Sequence, residues 1–322
     1  MLLSIENLNV RFATTDGAVD AVSDLSLQIA PGECLGIVGE SGSGKSQTFM
    51  AALRLLADNG TAQGRVMFHD SDLLAASDSE LSRVRGNKIT MIFQDPMTAL
   101  TPHMTIGRQL AEVLVHHRGL TWAKARDESL AMLKRVHVPE AERRLDMYPH
   151  ELSGGLRQRV MIAMALLCGP ELIIADEPTT ALDVTIQAQV LALLREVKQT
   201  TNAAIVLITH DLGVIAGLAD RVAVMYAGRI VETGNVRDVF KDPRHPYTRG
   251  LLACTPRLDD ARTTELVTIP GQPPNLQHLP SGCSFAPRCG FVIDDCRSSR
   301  PPLRDLGRAR ANACIRDLER AS

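Results

Sequence analysis

No stretch of this 322-residue chain reaches the roughly 18 to 20 uninterrupted apolar residues that a membrane-spanning helix requires. The longest candidates, Val160 to Cys168 and Ala203 to Ile208, are short, so the chain is not expected to span a bilayer by itself. The opening Met1-Leu2-Leu3-Ser4-Ile5-Glu6 lacks the basic flank and long apolar core of a secretory signal, and a cytoplasmic location is the expectation. Neither sign of charge is in excess, with 35 basic against 37 acidic residues. That balance argues against a nucleic-acid partner, which calls for a strong positive field. Internal repeats and low-complexity tracts are also missing.

What is present is a 45% apolar composition, enough for a large core and, at this length, for one big domain with a small appendage. Leu8, Val10 and Phe12 alternate with polar neighbours, as do Leu25, Leu27 and Ile29. Both segments suggest strands of an antiparallel sheet. Cys34-Leu35-Gly36-Ile37-Val38 reads as a buried strand, followed by a glycine-rich turn and a helix over Gln47 to Leu56. From about Thr105 to Cys168 strand runs disappear; Ile106, Leu110 and Val113-Leu114 have helical spacing, as do Leu130, Leu133 and Val136 to Val138. Two further apolar runs, Leu172 to Ala175 and Ala204 to Ile208, flank a helical stretch from Thr185 to Gln199. Strand, helix, strand is the rhythm of a parallel α/β sheet. Beyond about Asp242 the chain turns rich in Pro, Arg and Cys, which marks a loop-rich tail.

The chemistry concentrates in a few segments. Gly39-Glu40-Ser41-Gly42-Ser43-Gly44-Lys45-Ser46 has phosphate-loop spacing and lies between a buried strand and a helix. Glycines let backbone N–H groups face phosphate oxygens, the helix N-terminus adds positive potential, and Lys45 supplies a point charge to the β- and γ-phosphates. Ser46 would offer its hydroxyl to Mg²⁺. Asp176 and Glu177 close the run Leu172-Ile173-Ile174-Ala175, where ligands collect in open α/β sheets. Asp176 is expected to partner Mg²⁺ and Glu177 to polarise the attacking water. Together these motifs indicate a phosphate-loop NTPase and no more.

Leu152-Ser153-Gly154-Gly155-Leu156-Arg157-Gln158-Arg159 narrows the class, because it resembles the LSGGQ signature of ABC ATPases, with Leu156 where Gln is common. Ser153 and the two glycines before a helix form a second anion site. The resemblance assigns that site to the γ-phosphate of an ATP held by a different subunit. It further implies a glutamine loop at Gln94, a D-loop at Thr180-Ala181-Leu182-Asp183 and a switch histidine at His210. Phe12 is the candidate for stacking on adenine, with a core strand position as the other reading. The implied fold is an α/β ABC-type nucleotide-binding domain over about residues 1–250. It would have a mixed sheet core, an antiparallel β subdomain and a helical subdomain at about 97–165, followed by a small loop-rich module at 251–322.

The tail segments His245-Pro246-Tyr247-Thr248-Arg249-Gly250, Ile269-Pro270-Gly271-Gln272-Pro273-Pro274 and Gly282-Cys283-Ser284-Phe285-Ala286-Pro287-Arg288-Cys289 are similar to the oligopeptide, dipeptide and nickel importer branch, and specifically to its D-type ATPase chain. The implied function is ATP hydrolysis that powers peptide import. Nickel, haem or another solute of the same branch, or a soluble ABC ATPase, are the alternatives. Implied partners are a second ABC ATPase subunit, two transmembrane permease subunits and an extracytoplasmic substrate-binding protein, at the cytoplasmic face of the bacterial inner membrane. Cys283, Cys289, Cys296 and Cys314 are spaced C-x5-C-x6-C-x17-C. In a reducing compartment this suggests a four-thiolate site for Fe–S or zinc; the resemblance favours a [4Fe–4S] cluster.

Overall fold

The structure, a computed structural model, describes residues 1–180, 182–254 and 268–316. Chain contacts divide it into two compact units, one of Met1–Ile29, Leu35–Leu74 and Thr209–Ser322, the other of Ala30–Cys34 and Ala75–Ile208.

The first unit begins with β1 (Leu3–Thr14) and β2 (Gly17–Ile29), a long antiparallel pair. Leu25, Leu27 and Ile29 are buried between exposed Ser26 and Gln28, as their alternation requires. The fully buried β3 (Cys34–Val38) leads through a glycine turn into α1 (Lys45–Ala52). That helix starts before and stops short of the expected Gln47 to Leu56, since Arg54 adopts a left-handed φ of 51°. β4 (Gly60–Phe68) then pairs with the other side of β1, and β5 (Ser71–Asp72) adds a short edge. The sheet order is β2-β1-β4-β5.

The second unit carries the helices. After α2 (Asp78–Val84), capped by Ser77 and Glu80 reciprocally, comes β6 (Ile89–Ile92). A helical run follows: α3 (Pro96–Ala99), α4 (Ile106–Arg118), α5 (Trp122–Arg135), α6 (Ala141–Arg144) and α7 (Gly154–Leu166). Ile106, Leu110 and Leu114 bury one stripe of α4, and Ala125, Ser129 and Leu133 bury one of α5. Buried Gln109 is satisfied by Thr101 N–H and by the carbonyls of Thr101 and Met104, all at 2.9 Å. β7 (Leu172–Asp176), α8 (Val184–Thr200) and β8 (Ala204–Ile208) complete the unit. β6, β7 and β8 run parallel with β7 in the middle, and both β7 and β8 are buried along their whole length.

The chain then returns to the first unit through α9 (Leu212–Leu218), β9 (Arg221–Tyr226), β10 (Arg229–Asn235), α10 (Val236–Lys241) and α11 (Pro246–Ala253). β9 lies parallel to β3 and antiparallel to β10. The tail contributes α12 (Asp295–Ser298), β11 (Arg304–Gly307) and β12 (Arg310–Asn312). β12 pairs with β10, opposing Asn312 to Glu232, so a segment poor in apolar runs is held by backbone pairing and buried charge. Glu232, fully buried, accepts the N–H groups of Arg244 and His245 at 2.8 and 2.9 Å and Arg310 Nη2 at 2.9 Å. A carboxylate so buried is tolerable only with such partners. Among the described residues no helix is long and apolar enough to cross a membrane.

Candidate functional site

In the first unit, buried β3 delivers the chain to Gly39-Glu40-Ser41-Gly42-Ser43-Gly44, which wraps the N-terminus of α1. Gly39 and Gly44 take φ values of 155° and 94°. A side chain at Gly39 would collide with Met225 O, and one at Gly44 with Ala21 O, so both positions require glycine. Left-handed Gly44 caps α1 without any side-chain hydrogen bond, at the helix end where the dipole favours an anion. Lys45, 7% exposed, folds back to donate to Gly39 O at 2.8 Å and Glu40 O at 3.0 Å. Ser43 Oγ is buried with no hydrogen-bond partner among the described residues. An orphaned hydroxyl beside a helix N-terminus and a lysine suits a phosphate oxygen. Ser46 lies half-buried on the first turn of α1.

His210 belongs to the same unit. Thr209 N–H bonds Ile37 O of β3 at 3.2 Å, and Asp211 caps α9 through the N–H groups of Gly213 and Val214. Exposed His210 is therefore fixed between two anchored neighbours. Phe12 lies on β1 opposite Gly60, its ring so close to that backbone that a Cβ there would stand 2.6 Å from Cε1.

In the second unit the ends of the parallel strands gather three predicted residues. Register pairs Ile92 with Ala175 and Asp176 with Ile208. Gln94, two residues past β6, thus leaves the same carboxyl edge as Asp176 and Glu177, where open α/β sheets bind ligands. Gln94 is exposed and Asp176 buried. Glu177 is held at a left-handed φ of 46°, an uncommon state for a non-glycine residue. Its N–H bonds Ile208 O at 2.8 Å, while Thr180 Oγ1 donates to its carboxylate at 2.6 Å. The hydroxyl of Thr180, read from the sequence only as part of the D-loop segment, therefore aims the carboxylate.

Ser153, Gly154 and Gly155 sit elsewhere in that unit, at the N-terminus of the 13-residue α7. Ser153 Oγ accepts Leu156 N–H at a long 3.4 Å, and both Ser153 and Gly154 are exposed. Gly155 is buried against Ile186, where an added Cβ would come within 2.7 Å of Cγ2. Asp183 caps α8 by accepting Ile186 N–H at 2.9 Å; Ala181 of the same motif lies outside the described residues.

The cysteine expectation requires correction. Cys283, Cys289, Cys296 and Cys314 are free and line a cavity of about 10 Å³. Yet among the described residues no group of three or more His, Cys, Asp or Glu is placed to hold a metal ion. Burial pushes the thiols of Cys283, Cys289 and Cys314 upward. The Sγ atoms of Cys289 and Cys314 instead accept the N–H groups of Phe291 and Arg316, both at 3.4 Å. Cys296 and Cys314 are buried and Cys283 and Cys289 half-buried, and neither the [4Fe–4S] nor the zinc reading is supported.

Against known proteins, the profile of the ABC transporter family matches residues 22–180. That of the oligopeptide/dipeptide transporter C-terminal region matches residues 231–296. The chain is 55% identical over 319 residues to the oligopeptide transport ATP-binding protein OppD of Salmonella typhimurium, covering 99% of this chain and 95% of that protein. It is 52% identical over 290 residues to the dipeptide transport ATP-binding protein DppD of Bacillus subtilis, covering 89% and 86%. Among solved structures, the ATP-binding cassette MJ0796, dimeric and bound to ADP and Pi after hydrolysis, aligns with a TM-score of 0.66 at 30% identity. That alignment covers 73% of this chain and 99% of the cassette.

Proposed function

The chain belongs to the ABC transporter family of ATP-binding subunits, and we propose that it is the ATP-hydrolysing subunit of a peptide importer. One observation carries this reading: a single chain joins the phosphate loop Gly39–Ser46 to a C-terminal region of the oligopeptide/dipeptide transporter type. The nucleotide-binding domain is assigned to about residues 1–250, with its helical subdomain at about 97–165, and the C-terminal module to 251–322.

In this reading the loop N–H groups, Ser43 and Lys45 bind the β- and γ-phosphates, and Phe12 stacks on adenine. Mg²⁺, when bound, neutralises phosphate charge, and Ser46, Gln94 and Asp176 would hold it. Glu177, aimed by Thr180, polarises the attacking water, and His210 steadies the developing charge at the γ-phosphate. Catalysis is then positioning and charge stabilisation of an in-line attack. Ser153, Gly154 and Gly155, followed by Asp183, serve the nucleotide of a second ATPase subunit, a sibling chain of the same branch. The dimeric state of the MJ0796 cassette and the exposure of Ser153 and Gly154 support that arrangement. Closure on ATP and opening after hydrolysis would drive two permease subunits fed by an extracytoplasmic binding protein. The chain would then sit peripherally on the cytoplasmic face of a bacterial inner membrane.

The test uses the full chain co-expressed with its partner ATPase and permease subunits and reconstituted with the binding protein. Turnover should rise when the binding protein carries peptide, and Lys45→Ala should remove ATP binding. Stimulation by nickel or haem in place of peptide would move the assignment within the branch; tight ATP binding by Lys45→Ala would overturn it.

A further inference from the structure

Three tail segments that stand out in the sequence have no part in the chemistry above: His245-Pro246-Tyr247, Ile269-Pro270-Gly271 and Phe285-Ala286-Pro287-Arg288. The first and third reach Glu40, the second residue of the phosphate loop, and the second holds Arg288. Arg288, whose side chain is 6% exposed, grips the Glu40 carboxylate bidentately, Nη1 to Oε2 at 2.7 Å and Nη2 to Oε1 at 3.0 Å. Its Nε donates to Pro270 O at 2.9 Å, Nη2 also reaches Ile269 O at 3.4 Å, and Nη1 reaches Tyr226 Oη at 3.5 Å. The five N–H groups of the guanidinium therefore have five acceptors, which fixes its plane.

Tyr247, fully buried, accepts the Glu40 N–H on its Oη at 2.8 Å. Its ring is wedged against Tyr226 at 4.6 Å and Phe285 at 5.4 Å. Glu40 in turn presents its carbonyl to Lys45 Nζ. A continuous chain of polar contacts thus runs from the tail through Glu40 to the loop lysine.

An acidic side chain in a loop that binds phosphates is electrostatically adverse, and the adversity grows where water is scarce. Arg288 cancels that charge and turns the carboxylate into an anchor. Removing Arg288 would leave the Glu40 carboxylate without its counter-charge, while its N–H and carbonyl keep Tyr247 and Lys45.

We propose that Arg288 and Tyr247 are positioning residues for ATP, holding Glu40 so that the phosphate loop keeps its nucleotide-binding shape and its net positive field. The proposal rests on the phosphate-loop reading, and it makes the tail part of the nucleotide site.

The experiment compares the wild-type complex with Arg288→Met, Arg288→Lys, Tyr247→Phe and the double variant Glu40→Gln/Arg288→Met, following ATP turnover and MANT-ATP affinity. Arg288→Met should raise KM for ATP on the order of 10-fold, with kcat changing about 2-fold or less, because ground-state phosphate binding is what suffers. Arg288→Lys should recover part of the loss, and Tyr247→Phe should raise KM roughly 3-fold. The double variant should bind ATP more tightly than Arg288→Met alone, because the unpaired charge is gone. Equal KM in wild type and Arg288→Met, or a double variant no better than the single, would overturn the proposal. If Arg288→Met fails to fold, the decision passes to Arg288→Lys and Tyr247→Phe, where wild-type KM in both overturns it. Lys45→Ala serves as the control for the phosphate-loop reading: if it keeps ATP affinity, that reading fails irrespective of Arg288.

Discussion

Two helices of this chain begin on glycine-bearing turns, and their N-termini are finished in opposite ways. At α1 the cap is left-handed Gly44 with no side-chain bond; around it Lys45 and Ser43 are buried and Glu40 is tied at its N–H, its carbonyl and its carboxylate. At α7 the cap is Ser153, exposed, closing on Leu156 N–H through a long bond of 3.4 Å. In the proposed reading the first N-terminus is an anion cradle whose charges come from its own surroundings. The second is a surface half-site, weakly self-satisfied and ready to exchange its intrahelical bond for an external acceptor. The difference suits a protein that holds one nucleotide and presents its signature to another.

The largest effect should come from the cradle. Gly44→Ala places a Cβ against Ala21 O at a φ of 94°, a conformation that costs an ordinary residue about 1–2 kcal/mol before any collision. ATP affinity should fall on the order of 100-fold, measured by MANT-ATP titration; near-normal affinity would break the comparison at its stronger end. At the other helix, Ser153→Ala removes a cap of about 1 kcal/mol. The expected signature is split: ATP binding by the single chain stays near wild type while turnover in the paired complex drops roughly 10-fold. Equal losses in both assays would make the two N-termini alike.

Acid should separate the two regions more gently. Burial pushes His245 from 6.5 down to about 3, among the buried groups Glu232, Tyr247 and Phe285. Its folded pKa lies below the unfolded value, so the unfolded chain binds more protons through this window. The stability this gives is complete above pH 6.5 and falls by about 1.4 kcal/mol per unit as pH drops toward 3. Hydrogen exchange at pH 5 should therefore loosen α11 and the phosphate loop before α7, and His245→Gln should flatten the pH dependence. Uniform loosening at both helices would remove the contrast.

Much of this was legible in the residues. Alternation at Leu25, Leu27 and Ile29 and the apolar runs at β3, β7 and β8 announced strands because burial on one or two faces demands those patterns. Glycine spacing before Lys45-Ser46 announced the cradle, since few other sequences permit positive φ so close to backbone oxygens. Ser153-Gly154-Gly155 was legible as a segment at a helix start, and α7 begins there. The tail was harder, because its anchors are charges whose partners lie far along the chain. Nothing local to Glu232 distinguishes it from a solvated acid, yet Arg310, 78 positions later, completes its burial. Arg288 and Glu40 are 248 positions apart, and the clustered cysteines drew attention to metal while the arginine between two of them made the contact. The outcome for Cys283, Cys289, Cys296 and Cys314 shows that thiol spacing alone does not establish a ligand set.

The most direct measurement is a structure of the full-length Glu177→Gln chain with its partner ATPase, ATP and Mg²⁺. The account predicts that the γ-phosphate of the ATP on this chain's Lys45 is met by a Ser-Gly-Gly segment of the partner subunit, while this chain's own Ser153 faces the nucleotide of that partner. A γ-phosphate contacted only from within one chain, with Ser153 turned to solvent, would contradict it.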